Sequence, residues 1–168
     1  MREFELEYNE MKEEILALLK NASHMTVATC ENQRVTARIV TCINREFNIQ
    51  FQTYIESRKY QQIKANPHVA LCFENMQIEG IAAIKGHPQA EENIQHLIAF
   101  KSKYPKIVEK WSSLSNMVVI EVSPTLISLY RSPQTADVPR DCLDFLDLQD
   151  NKAYRKYIYP DERKEPDL

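Results

Sequence analysis

Gln52, Thr53, Ser57, Arg58 and Lys59 fall within eight residues, where a strand-like run gives way to the start of a helix-like one. Hydroxyls and cations at a helix start are the residue types that hold a phosphate. An Arg fork binds two oxygens, a Lys adds a point charge, a hydroxyl donates, and the first turn supplies free N–H groups and the positive end of the helix dipole. A bound anion would also offset the unfavourable placement of two cations at that end. The same residues fit a plainer role, with Ser57 as an N-cap and Arg58 and Lys59 solvated. Arg38 lies mid-strand on a face shared with Val40 and Cys42, and is either an exposed charge or a second phosphate contact.

Composition narrows the chemistry. The chain has 168 residues, which points to one domain able to bury a sizeable core. It holds only two glycines, Gly80 and Gly86, with no Lys-Ser or Lys-Thr after the second, so a dinucleotide fingerprint and a Walker loop are both excluded. A net charge of −3 gives no footprint for nucleic acid or an anionic membrane. The acidic start and the lack of a long apolar run lead us to expect a cytoplasmic protein. Cys30, Cys42, Cys72 and Cys142 match no metal or redox spacing, so no metal site is expected and the thiols are read as reduced and mostly buried. His24 and His68 fall at strand starts, His87 before a proline, and His96 on the polar side of a helix; each reads as a solvated or turn residue.

The elements that must position these groups follow from periodicity. Met11, Ile15, Leu18 and Leu19 form the stripe of an amphipathic helix ending near Asn21. Strands are then expected over 25–30, 35–43 and 47–53, joined by the polar turns Glu31 to Arg34 and Asn44 to Glu46. A helix over 58–65 stops at Asn66-Pro67. Strands follow over 68–73 and 77–86, then a helix carrying Ala90, Ile94, Leu97 and Ile98, and a shorter one from Pro105 with Ile107, Val108 and Trp111. Two last strands, 117–122 and 126–131, meet at Ser123-Pro124, and the tail from Cys142 to Leu148 carries part of a helix pattern before a charged, fraying end at 161–165. Seven strands in hairpin order with inserted helices make a mainly β chain with helices (α+β), folded as a small antiparallel barrel.

Arg38 and Val40 on the second strand, then Gln52-Thr53 and Ser57-Arg58-Lys59, then Asn66-Pro67-His68-Val69-Ala70-Leu71, resemble the FMN-binding split barrel of the pyridoxamine 5′-phosphate oxidase-like superfamily. The resemblance covers roughly residues 10–130 and implies a flavin-binding split-barrel domain over 1–133, followed by an extension over 134–168 packed on the barrel or on a partner. It further implies a homodimer with FMN at the interface. Arg38, Ser57, Arg58 and Lys59 would hold the phosphate, Ile39 and Val40 would offer backbone to the ring, and Gln52 and Thr53 would line the ring or ribityl chain. Tyr130 and Arg131 either reach a partner's flavin or cap the barrel rim, and Leu71 and Phe73 are expected on an apolar outer face that a dimer covers.

Branches of the superfamily use a deazaflavin in place of FMN, and the same barrel resembles stress or haem-handling proteins that hold a ligand without turnover. True pyridoxamine phosphate oxidases carry a Lys where this chain has Ile43, and their Arg-rich C-terminal signature has no counterpart here. The expectation is therefore an FMN-dependent oxidoreductase acting on another small substrate. Ile39, Val40, Ile81 and Ile84 are expected to shape an apolar pocket for a flat, uncharged molecule.

Overall fold

The structure is a computed structural model, and it describes residues 3–158. Helix α1 (Tyr8–Asn21) lays Met11, Ile15 and Leu19 on the core. Strands β2 (His24–Glu31) and β3 (Arg34–Arg45) form a hairpin whose turn residues, Asn32 and Gln33, both have positive φ, as a two-residue turn that matches strand twist requires. Then come β4 (Asn48–Tyr54), α2 (Arg58–Ala65), β5 (His68–Phe73) and β6 (Met76–Ile84). Helices α3 (Ile94–Lys103) and α4 (Pro105–Trp111) precede β7 (Met117–Arg131). Strands β8 (Cys142–Asp147) and β9 (Lys152–Tyr157) follow, and the short β1 (Glu3–Glu5) pairs with β9.

All pairings are antiparallel. The order is β1-β9-β8-β7-β4-β3-β2-β5-β6, and a further β7–β6 pairing closes six strands into a barrel. Val27, Phe51, Leu71, Ile78, Ile120 and Ile127, all fully buried, fill its interior. Each such side chain contributes about 1.5–3 kcal/mol relative to exposure. Among the described residues no helix is long and apolar enough to cross a membrane.

The second half of the chain departs from expectation at two places. The pair of strands expected around Ser123-Pro124 is one continuous β7, because the proline falls where the β6 register shifts between Glu79 and Gly80. A bulge tolerates the missing N–H. Gly80 is required there, since a Cβ would lie 2.7 Å from the Ser123 carbonyl oxygen. The tail over 142–148 is a strand, not a helix: Cys142, Asp144 and Leu146 alternate inward while β8 pairs with β7. Asp144 hid the alternation, because a charged residue normally marks the solvent face. The charged end at 161–165 lies outside the described residues.

Burial also corrects which faces look outward. Leu71 is fully buried, and the exposed apolar row is on β3, where Val35 is 65% and Ile39 71% exposed. On α3 the expected stripe is inverted: Ile94 and Ile98 are exposed, whereas His96 and Phe100 are buried, as is Asn93 at the N-cap. Of the four thiols only Cys42 and Cys142 are buried, Cys72 being exposed.

Candidate functional site

The site begins where two paired strands part. β3 and β4 are hydrogen-bonded only from Cys42↔Phe51 to Arg45↔Asn48. Beyond that point β3 continues along β2, and Gln52, Thr53 and Tyr54 continue along β7. Ile39, Val40 and Thr41 are thus left without a ladder partner on the β4 side, and the gap opens into a cavity of about 480 Å³. Its walls are Ile39, Val40 and Thr41 on one side and Gln52, Thr53 and Tyr54 on the other, with Lys59 at one end. Phe100, Ile107, Trp111 and Met117 complete an apolar wall, and Trp111 meets Tyr54 edge to face at 6.0 Å.

Lys59 leads to the cations. Ser57 caps α2, its Oγ accepting from the Tyr60 N–H at 3.3 Å. The same Oγ is 2.9 Å from Thr53 Oγ1, and Lys59 Nζ donates to Thr53 Oγ1 at 2.9 Å. Arg38 points inward rather than to solvent. Its Nη1 donates to Thr29 Oγ1 at 2.6 Å and to the Val27 carbonyl at 3.4 Å, and its Nη2 donates to Thr36 Oγ1 and, at 3.2 Å, to Gln62 Oε1. Those acceptors are all neutral. Burial, and then the adjacent Arg58, lower the Arg38 pKa; burial, and then Arg38, lower that of Lys59. Among the described residues no carboxylate pairs with Arg38, Arg58 or Lys59. Three mutually repelling cations around two hydroxyls and a helix start form a cradle of positive charge.

The residues singled out from sequence therefore converge. Ile39, Val40, Gln52, Thr53 and Lys59 line the cavity, Ser57 binds Thr53, and Arg38 and Arg58 add charge beside Lys59. Ile81 and Ile84 do not join them: Ile81 is on the outer face of β6 and Ile84 ends the strand, 37% and 39% exposed, and neither lines the cavity. Arg131 is held by Glu14 and Asp144, at 2.6 and 3.0 Å.

His96 overturns its expected solvation. It is 2% exposed, stacks on Phe100 with centroids 5.2 Å apart, and lies between Gln52 and Gln50. Burial pushes its pKa down to about 4, against the opposing pull of Glu121. Gln62, fully enclosed and gripping Arg38, was also missed. The i, i+4 spacing of His96 and Phe100 was the available signal, but Ile94, Leu97 and Ile98 outweighed it. Among the described residues no cluster of His, Cys, Asp or Glu could hold a metal ion.

Known structures share this architecture. The haem storage protein HutZ from Vibrio cholerae aligns with a TM-score of 0.58 at 14% identity, covering 67% of this chain and 88% of that one. A FAD-binding protein from Mesorhizobium loti aligns with a TM-score of 0.55 at 12% identity, covering 76% and 96%. In sequence, a pyridoxine/pyridoxamine 5′-phosphate oxidase from Anaplasma marginale (strain St. Maries) is 32% identical over 148 residues, which is 82% of this chain and 66% of that protein. The present chain thus spans just under two thirds of that relative. The sequence model for pyridoxamine 5′-phosphate oxidase matches residues 11–131, from the first turn of α1 to the last residue of β7, and the chain belongs to that family.

Proposed function

We propose that the chain binds FMN in the gap between β3 and β4 and works as a flavin-dependent oxidoreductase on a small substrate other than pyridoxamine phosphate. The observation that carries the reading is the cradle of Arg38, Arg58 and Lys59, unpaired with any carboxylate among the described residues, at the end of an apolar-walled cavity. An FMN phosphate, close to a dianion, fits that donor set, and the flat ring fits the gap beside Val40 and the wall of Trp111 and Phe100. When bound, FMN supplies the electron transfer between a reductant and an acceptor. The chain's own work is to grip the phosphate, orient the ring and keep water from one side of it.

The substrate class follows from charge. Lys59 is the one cation lining the cavity among the described residues, and it is tied to the Thr53 hydroxyl at the end assigned to the FMN phosphate. Ile43, where pyridoxamine phosphate oxidases carry a Lys, is 5% exposed. A second phosphate would go unpaired, which costs binding of about 1–3 kcal/mol or more for a charged group. A flat, uncharged acceptor such as a quinone or nitroaromatic suits the wall better.

The homodimer belongs to the same reading. Val35, Ala37 and Ile39 make an exposed row on β3, with Ala28 and Ala70 beside Ala37 through the pairings Ala37↔Ala28↔Ala70. A second copy on this face would cover the mouth of the cavity at Ile39, which is 71% exposed.

Extraction of the cofactor from purified protein tests the proposal. FMN released in near one-to-one ratio, with bleaching by NADH or NADPH and reoxidation by a quinone, is the expected result. A haem spectrum, a deazaflavin, or turnover of pyridoxamine phosphate at an ordinary enzymatic rate contradicts it.

A further inference from the structure

Gln52 is held from two sides while lining the cavity. Ser112 Oγ donates to its Oε1 at 2.8 Å, and its Nε2 is 3.1 Å from His96 Nε2. On the far side of the imidazole, His96 Nδ1 is 3.1 Å from Gln50 Oε1, and Gln50 Nε2 donates to Glu121 Oε2 at 2.5 Å. Gln50 and Gln52 leave the same face of β4, so the His96 ring bridges alternate residues of one strand. Glu121 ends the line with Lys85 Nζ 3.5 Å from its other oxygen.

Chemistry gives this line one direction. The Glu121 carboxylate accepts only, so Gln50 must turn its NH₂ toward it and its carbonyl oxygen toward His96. The imidazole must then carry its proton on Nδ1, which leaves Nε2 as an acceptor. Gln52 meets that lone pair with its NH₂, and its Oε1 is left for the Ser112 hydroxyl. Reversing any one group sets donor against donor or acceptor against acceptor inside the protein, where an unmade bond costs about 1–3 kcal/mol. An amide NH₂ has two hydrogens, and the second on Gln52 has no partner among the described residues.

We propose that Glu121, acting through Gln50 and His96, fixes Gln52 as a hydrogen-bond donor to the cavity, so that the site selects a flat ligand with a carbonyl oxygen or ring nitrogen on the edge facing Gln52. His96 is a positioning residue in this account. The ligand half of the inference rests on the flavin reading of the cavity; the polarity of the line does not.

Long-range ¹H–¹⁵N NMR of ¹⁵N-histidine-labelled, ligand-free protein tests the polarity. The imidazole whose signals vanish in His96→Asn is expected as the Nδ1–H tautomer at pH 7, unchanged down to pH 5. In Glu121→Gln the end group can accept or donate, so the Nδ1–H signal should give way to a mixture of tautomers. FMN affinity of that variant should fall about threefold to tenfold with the melting temperature nearly kept, the loss expected for one neutral hydrogen bond. An Nε2–H tautomer or an imidazolium at pH 7 in the wild type, or a pure Nδ1–H signal in Glu121→Gln, overturns the line. Unaltered FMN affinity in Glu121→Gln overturns its role in selection. If the wild type shows the Nδ1–H tautomer but binds no FMN, the polarity stands and the flavin reading falls.

Discussion

Arg38 and Gln62 meet across the barrel wall, the guanidinium Nη2 of one 3.2 Å from the Oε1 of the other. Gln62 sits one turn along α2 from Arg58 and Lys59, so a single helix carries two cations of the cradle and aims the third. Its Oε1 also accepts from Thr29 at 2.6 Å and Thr36 at 2.7 Å, while its Nε2 donates to the Arg34 carbonyl at 3.1 Å.

Gln62→Leu keeps volume but removes every one of those bonds. Thr29, fully enclosed, and Arg38 lose a neutral acceptor, for a cost of about 1–3 kcal/mol in urea unfolding. FMN affinity should fall with it, because Arg38 is no longer held beside Arg58. A variant as stable and as tight-binding as the wild type would show that Gln62 does not aim Arg38.

Acid should destabilise the protein through His96. Its folded-state pKa of about 4 is below the ordinary histidine value near 6.5, so between those values the unfolded chain binds a proton that the folded one refuses. The stabilisation is present above about pH 6.5 and is lost as pH falls toward 4, by ~3 kcal/mol at most. Urea melts of wild type and His96→Asn at pH 7 and 4.5 check this: the wild type should lose more stability than the variant across the interval. Equal losses would mean that His96 is readily protonated in place.

Asp144 should matter far from the site. It is 2% exposed and takes Arg155 Nε at 2.6 Å and Arg131 Nε at 3.0 Å, joining β9 and β7 through β8. Hydrogen bonding to Asp144 raises the Arg155 pKa, and hydrogen bonding to Glu14 leads the rise at Arg131. Asp144→Ala leaves two half-buried guanidinium groups short of a partner and should cost about 3 kcal/mol or more in thermal or urea unfolding. A change below 1 kcal/mol would mean that the arginines find water instead.

Ile39→Glu tests the proposed dimer face. A charge at a position 71% exposed should leave an isolated chain folded, yet light scattering should show a monomer where the wild type gives a dimer. A wild-type protein that is monomeric with its cofactor bound contradicts the interface.

How far the sequence led depends on which physics each element obeyed. The β2–β3 hairpin and α2 were legible because local signals decide them: a polar two-residue turn, a serine cap and an Asn-Pro stop. The grouping of Thr53, Ser57, Arg58 and Lys59 was legible for the same reason, since they lie on one strand end and the start of the helix that follows. β8 and α3 misled because tertiary partners reversed their polarity. Asp144 is buried only since two arginines from other segments neutralise it, and His96 only since two glutamines of β4 receive it. The parting of β3 from β4, which makes the cavity, is a matter of register and left no mark in the residue pattern.

Titration of cofactor-free protein with FMN and with riboflavin, followed by flavin fluorescence, tests the phosphate cradle most directly. The two ligands share the ring and differ in the phosphate alone. FMN should bind at least a hundredfold more tightly than riboflavin, and Arg58→Ala should narrow the gap by about 1.5–3 kcal/mol, the value of a hydrogen bond to a charged group. Equal affinity for FMN and riboflavin, or an Arg58→Ala variant that keeps the full preference, would contradict the account.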